Sequence, residues 1–255
     1  MESLIFPVEP GFLLAAMAIA LAAGVVKGMV GFAMPMILIS GLGSFVAPEL
    51  ALAGLILPTV LTNLVQALRQ GPAAALRSVR RFGLFLGVGF VALLISAQFV
   101  RLLPADVMLL LIGGPVALFA LIQLFGLRVR LAARSRPIEI GLGAVAGLIG
   151  GMSGVWGPPT VLYLTALDTE KTEQIRVQGV IYALGALALL AAHLGSGVLR
   201  AETWPFSAAL VPPALAGMWL GARVQDRIDQ ATFRRATLLV LTFAALNLVR
   251  RGLGG

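Results

Sequence analysis

The chain has 255 residues, 59% of them hydrophobic and only 12% charged, with a mean hydropathy of +0.99. That composition excludes an ordinary soluble domain and describes a polytopic membrane protein. Cysteine is absent, so disulfides, thiol catalysis and Cys-bound metals are excluded. The net charge of +8 sits mainly in short links between apolar runs. This is the positive-inside pattern of loops facing anionic lipid, and no nucleic-acid partner is inferred from it.

The N-terminal stretch MESLIFPVEP carries Glu2 and Glu9 but no Lys or Arg, so it lacks the basic region of a cleavable signal peptide. The first apolar segment is therefore expected to remain in the mature protein. Gly11–Leu42 is a long apolar region interrupted by GMVGFAMP at Gly28–Pro35. Spanning helices are predicted over Pro48–Leu68, Phe82–Val100 and Pro104–Phe125. A linker at Gly126–Pro137 holds Arg128, Arg130, Arg134 and Arg136. The pattern then repeats. Ile138–Leu167 is interrupted by GMSGVWGP at Gly151–Pro158, and three more spans are predicted over Glu173–Leu194, Trp204–Ala222 and Ala231–Val249. Laid over each other, the halves also match Gly24 with Gly147 and Ala23 with Ala146. The expected organisation is a first transmembrane repeat over 11–126, a basic cytoplasmic linker over 127–136 and a second repeat over 137–250.

Paired Gly/Pro-broken segments at corresponding places in two halves point to a transporter's binding site. A break frees backbone N–H and C=O groups that lipid cannot satisfy, so they must meet protein, water or solute. An arm such as Gly11–Val26 would rise only ~24 Å at ~1.5 Å per residue, against a hydrocarbon core of ~30 Å. Each broken region is thus either a re-entrant hairpin or one long kinked span. Hairpins leave three crossings per half and make the repeats inverted. Arg69, Arg77, Arg80, Arg81, the four linker arginines, Lys171, Arg176, Arg223, Arg227, Arg234 and Arg235 then share one side, with Arg101, Arg200, Arg250 and Arg251 opposite, a 14-to-4 division. Kinked spans give at best 11 to 7. The charge asymmetry favours an all-α protein of two inverted repeats, each a broken hairpin plus three transmembrane helices. Within it, GLFLG at Gly83–Gly87 and GMWLG at Gly217–Gly221 are expected to bring helices into close contact. Gly113-Gly114-Pro115 is expected to kink its helix, and Trp204 and Trp219 fit interfacial positions.

The carboxylates, among them Glu49, Asp106, Glu139, Asp168, Glu173 and Asp226, fall at segment ends or in links. This gives no obvious intramembrane proton relay or cation site, and no nucleophile–base pair or metal cluster for an enzyme. His193 lies near a helix end. No P-loop is present, and no cofactor is expected. Cationic and neutral polar groups remain, and these suit an anion. Lys27 stands just before the first break, and Arg176 lies one turn into the helix after the second. The half-helix starts offer N–H groups and a positive dipole end, with Ser153 and Thr160 nearby and Pro158-Pro159 suited to a helix start. Phe32 and Trp156, at neighbouring repeat-equivalent places, can close over a solute or pack in the core. Asn63 and Gln66 share a helix face, as do Gln178 and Tyr182, to contact solute or bridge helices.

These residues resemble the TauE/SafE sulfite-exporter-like family of membrane permeases. The matching stretches are KGMVGF at Lys27–Phe32, TNLVQALRQG at Thr62–Gly71, GGMSGVWGPPTVLYL at Gly150–Leu164 and IRVQG at Ile175–Gly179. One departure is that Phe32 is followed by Ala33 and Met34 where the family pattern often continues with glycine. The resemblance implies transport, often outward, of sulfur-containing anions such as sulfite, sulfoacetate or other organosulfonates. By matching positions it implies binding roles for Lys27, Gly28, Gly31, Phe32, Asn63, Gln66, Gly151, Ser153, Gly154, Gly157, Pro158 and Arg176. The combined reading is a secondary transporter of small anions in a bacterial cytoplasmic membrane. Its solute is held between the two breaks, its other partner is membrane lipid, and a homo-oligomer is possible. Alternatives are a channel-like small-anion pore and a carboxylate transporter.

Overall fold

The computed structural model describes residues 9–98, 105–126, 130–131, 134–153, 157–195 and 197–254. Every regular element among them is an α-helix. In chain order they are α1 (Pro10–Val30), α2 (Met34–Leu42), α3 (Pro48–Leu68), α4 (Pro72–Arg81), α5 (Gly83–Gln98), α6 (Ala105–Leu124), α7 (Arg136–Ser153), α8 (Gly157–Ala166), α9 (Lys171–Gly195), α10 (Trp204–Ala209), α11 (Val211–Arg227) and α12 (Gln230–Leu253). Five stretches are long and apolar enough to cross a membrane: α1, Glu49–Leu68 of α3, α9, Trp204–Arg227 and α12. The bent pair α4–α5 makes a sixth if counted as one span. The protein is an all-α polytopic membrane protein. Glu2, Arg101, Arg128, Gly154 and Trp156, named above, lie outside the described residues.

The chain divides into two compact units. One holds Met1–Arg69 with Gly179–Ile228, the other Gln70–Gln178 with Asp229–Gly255. Each unit therefore draws on both sequence repeats. In the first, α1 packs along α11; in the second, α7 packs along α5 and α12 along α6.

Both breaks form hairpins. α1 ends where Gly31 takes a left-handed conformation (φ 88°) and donates its N–H to the Lys27 carbonyl at 2.7 Å, the usual way a glycine closes a helix. Ala33 is also left-handed (φ 74°), a rare state for a residue with a Cβ, and α2 begins there with Pro35 in its first turn. The chain then returns along α1. A methyl group at Gly41 would lie 2.8 Å from the Ile19 side chain, and Phe12 stacks on Phe45 with centroids 5.7 Å apart. In the other unit the Leu131 N–H donates to the Ala166 carbonyl at 2.8 Å, and the Tyr163 hydroxyl donates to Glu139 Oε1 at 3.0 Å. The start of α7 and the end of α8 thus meet. The first arm is longer than the sequence suggested, because α1 runs through Lys27 to Val30. Its 21 residues reach roughly 31 Å at ~1.5 Å per residue, enough to cross.

Glycines set the close helix contacts. In lipid, association depends on packing, and small residues let backbones approach. A methyl group at Gly24 would lie 2.3 Å from the Ala214 carbonyl oxygen, and one at Gly217 2.0 Å from that of Leu21. Gly221 faces the Val25 carbonyl in the same way. Across α5 and α7, a methyl group at Gly147 would meet the Gly89 carbonyl oxygen at 2.0 Å. The GMWLG expectation is therefore met, but the GLFLG one is not. Gly83 and Gly87 have open space where a Cβ would go, and α5 uses Gly89 against Gly143 and Gly147 instead. The two GxxxG motifs do not occupy matching helix faces, because Gly147, the repeat partner of Gly24, meets Gly89 where Gly24 meets Ala214 and Met218.

Three details add to the sequence reading. The span predicted over Trp204–Ala222 lies within Trp204–Arg227, long and apolar enough to cross a membrane, with an interruption at Leu210 where α10 gives way to α11 just before Pro212-Pro213, which lack N–H donors. The basic link after α3 contains a helix, α4. α6 runs as one helix through Gly113-Gly114-Pro115, and Gly113 admits α12, its Cβ position lying 2.8 Å from the Ala245 carbonyl oxygen. α12 opens with Asp229 accepting from the Thr232 N–H at 2.7 Å, and that bond holds the Asp229 carboxyl below the usual carboxylate range.

Overpacking a tight contact costs roughly 1–3 kcal/mol, and more where backbone must move. Gly217→Val and Gly147→Val should therefore lower the thermal unfolding temperature in detergent markedly, whereas Gly87→Val should leave it unchanged. The inverted orientation of the repeats is open to the same kind of direct measurement. Single cysteines at Arg77 and Arg227 are expected to label only from the cytoplasmic side, and opposite labelling of the two would replace the inverted arrangement with a parallel one.

Candidate functional site

The first break gathers the polar side chains that the sequence singled out. Lys27 lies in the last turn of α1 and is 1% exposed. Its Nζ donates to Asn63 Oδ1 on α3 and stands over the Tyr182 ring of α9, 5.9 Å from the centroid, within range of a cation–π interaction. Asn63 Nδ2 donates to the Tyr182 carbonyl at 3.1 Å. That bond fixes the amide orientation, leaving its oxygen for the ammonium. One turn on, Gln66 Nε2 donates to the Gly31 carbonyl at 3.0 Å. Asn63 and Gln66 thus bridge helices and hold the break. Phe32 and Met34 are buried beside them. Thr62 Oγ1 donates back to the Pro58 carbonyl at 2.6 Å, an ordinary closure for a buried helix hydroxyl.

Lys27 has no carboxylate among the described residues within ion-pair distance. The described acids of its unit are engaged or exposed elsewhere. Asp226 pairs with Arg69 at 2.5 Å, Arg200 takes both Glu49 at 2.6 Å and Glu202 at 3.1 Å, and Glu9 is exposed. The unit therefore buries one ammonium against an amide oxygen and a ring face. Beyond it, α2 starts at Met34 with Ala33 as its N-cap, which offers no side-chain oxygen to the positive end of the helix dipole.

Other candidates are placed differently. Gly28 is a packing glycine, since a Cβ there would lie 2.1 Å from the Met218 carbonyl oxygen of α11. Gly31 is the helix terminator described above. Arg176 is bound within its own unit: Nε donates to Ser78 Oγ at 2.7 Å, Nη1 to Gln70 Oε1, and Glu173 lies 3.8 Å away. Its guanidinium ties α9 to α4. Gln178 is fully buried on α9. Gly151 and Ser153 close α7, while Gly157 and Pro158 open α8; Thr160 is buried on α8.

One polar cluster was not foreseen. Arg134 Nε donates to Glu139 Oε1 at 2.6 Å, Tyr163 joins the same oxygen, and the Arg134 guanidinium lies 4.8 Å over the Phe82 ring. Glu139 is buried. Its position at a predicted segment end concealed a partner that arrives from the linker. Trp219 is exposed with Arg223 stacked 3.5 Å from its ring centroid, and His193 is half-buried near the end of α9.

Two broken-helix hairpins, apolar crossing helices and a buried cation at the first break describe a membrane protein built around interrupted helices, the architecture of solute permeases. A family model described as sulfite exporter TauE/SafE matches residues 16–248. The chain belongs to the TauE/SafE sulfite exporter family, a family of membrane transporters. A search of curated proteins found no match, and a search of solved structures found none.

The engaged Arg176 leads to a specific expectation. Arg176→Gln should lower thermal stability by loosening α4 from α9, yet leave sulfonate affinity within about twofold, a difference under ~0.5 kcal/mol. Binding measured by calorimetry beside thermal unfolding tests this, and a collapse of affinity would restore a direct solute role.

Proposed function

We propose that this protein is a secondary transporter of small anions, of the sulfite and organosulfonate class that includes sulfoacetate, acting as an exporter or permease in a bacterial cytoplasmic membrane. The anion is held at the first break, where the Lys27 ammonium and the N-terminal N–H groups of α2 supply positive potential. The observation that carries this reading is the burial of Lys27 with neutral partners alone among the described residues. A buried charge is expensive unless compensated, and an incoming anion compensates it. A single helix terminus contributes only ~0.3–2 kcal/mol, so it cannot offset the lost hydration of an anion without the ammonium. Family membership supports transport and the sulfur-anion class.

Uptake of labelled sulfite and sulfoacetate into proteoliposomes tests the proposal. Charge-assisted hydrogen bonds contribute ~1.5–3 kcal/mol, so Lys27→Met should weaken solute binding roughly 10- to 100-fold at about 1.4 kcal/mol per decade. Lys27→Arg should retain part of it. Normal transport by Lys27→Met, with expression and folding controlled, would assign Lys27 a packing role only. Flux that saturates and is stimulated by solute on the opposite side identifies a carrier, while linear flux identifies a pore.

A further inference from the structure

The basic link after α3 folds into a helix of unusual character for this chain. α4 carries Arg77, Arg80 and Arg81 and no acid. Ala74 and Ser78 point inward and are buried. The exposed surface has two lanes. Leu76 is 49% exposed and Val79 38%, and at 100° per residue they lie beside Pro72 on one flank. Arg80, Arg77 and Arg81 run along the other. Arg81 pairs with Glu173 at 2.8 Å, whereas Arg77 and Arg80 are exposed and make no hydrogen bond or ion pair among the described residues.

Geometry decides where such a helix lies. α4 meets α5 at 77°, so if the uncharged, largely apolar α5 enters the bilayer, α4 runs close to the membrane plane. An apolar lane beside a basic lane is what an interfacial helix presents to acyl chains and headgroups together. The helix is also held firmly, because Arg176 donates to Ser78 and Gln70 Nε2 donates to the Thr172 carbonyl at 3.0 Å.

A second feature adjoins it. One turn beyond Arg80, an apolar groove of about 460 Å³ opens along α5, lined by Gly83, Leu84, Gly87, Val91 and Ile95 among others. Its floor is the GLFLG motif, whose glycines touch no other helix. A groove for hydrocarbon thus begins beside unpaired arginines, which matches the two-part chemistry of an anionic phospholipid.

We propose that α4 and the upper half of α5 form a binding site for an anionic phospholipid. Arg77 and Arg80 take the phosphate headgroup, Leu76 and Val79 rest among the acyl chains, and one chain lies in the Gly83–Ile95 groove. The GLFLG glycines are there to make the groove.

The test uses the full-length protein in phosphatidylcholine nanodiscs with increasing phosphatidylglycerol, read by thermal unfolding and by lipid retained in native mass spectrometry. Phosphatidylglycerol should stabilise the wild type in a saturable way. Arg77→Gln with Arg80→Gln should weaken that response roughly 10- to 30-fold, as expected for losing two basic residues at a charged surface. Gly87→Val should weaken retention with no change of charge, and Arg235→Gln, an exposed arginine on α12, should behave as wild type. An unchanged response in the double arginine variant overturns the site. So does equal stabilisation by inorganic phosphate in pure phosphatidylcholine, which marks a free-anion site. Because the chain lacks cysteine, a spin label at Leu76→Cys gives an independent reading that needs no charge variant. Headgroup-to-acyl depth supports the site, and full aqueous exposure overturns it.

Discussion

Backbone groups inside a bilayer must find partners within the protein, and the first break depends on that requirement. Unwinding the chain at Gly31–Ala33 leaves a carbonyl with no helical donor. Gln66 supplies one, so α3 is obliged to run past the break with its amide-bearing face inward. Asn63, one turn earlier on the same face, meets Lys27 and ties α9 through the Tyr182 carbonyl. A few bonds made to satisfy an interruption thereby fix three helices around it. Were α1 to continue as regular helix, Gln66 would have no carbonyl to meet there.

The wider packing follows from a related property of lipid. Apolar side chains gain little by leaving one hydrocarbon environment for another, so helices hold together through close van der Waals contact. Glycine permits it. α1 and α11 meet carbonyl to glycine in both directions, Gly24 against Ala214 and Gly217 against Leu21, and α7 meets α5 through Gly147 and Gly89. Each contact joins a hairpin from one sequence repeat to a helix from the other. Each compact unit accordingly draws on both sequence repeats.

Much of this was legible in the sequence, for identifiable reasons. Long apolar runs fix helices by composition alone, and the ends of α3 and α9 fell within a few residues of the prediction. The places of both breaks were indicated by GMVGFAMP and GMSGVWGP, whose glycines and prolines interrupt otherwise apolar runs. What was hidden depends on which side of a helix faces a neighbour. GLFLG and GMWLG are alike as strings, but only Gly217 and Gly221 face another backbone. α4 was obscured because a short basic amphipathic helix has the composition of a loop. The partners of Arg176 and Glu139 were hidden because Ser78, Gln70 and Arg134 come from distant positions or from a linker that carries no pattern. At the first break the residues named from the sequence lie together, and the structure adds contacts that spacing does not give: Gly28 packs against α11, Gly31 ends α1, and Asn63 and Gln66 bridge helices.

Those contacts bear on what Lys27 does. A lysine placed only for stability is better served by a carboxylate, since an ion pair with hydrogen bonds offsets far more of the desolvation than an amide oxygen and a ring face do. The unit has acids, and they are spent on Arg69 and Arg200 near segment ends. Asn63 is nearly isosteric with aspartate, so geometry does not forbid a resident counter-charge. The Tyr182 carbonyl does oppose it, because it requires a donor from position 63. An amide satisfies carbonyl and ammonium at once and leaves the positive charge unneutralised. Buried charges kept without their natural partner are a recurrent property of functional sites, and that is the ground on which an anion is proposed to bind beside Lys27.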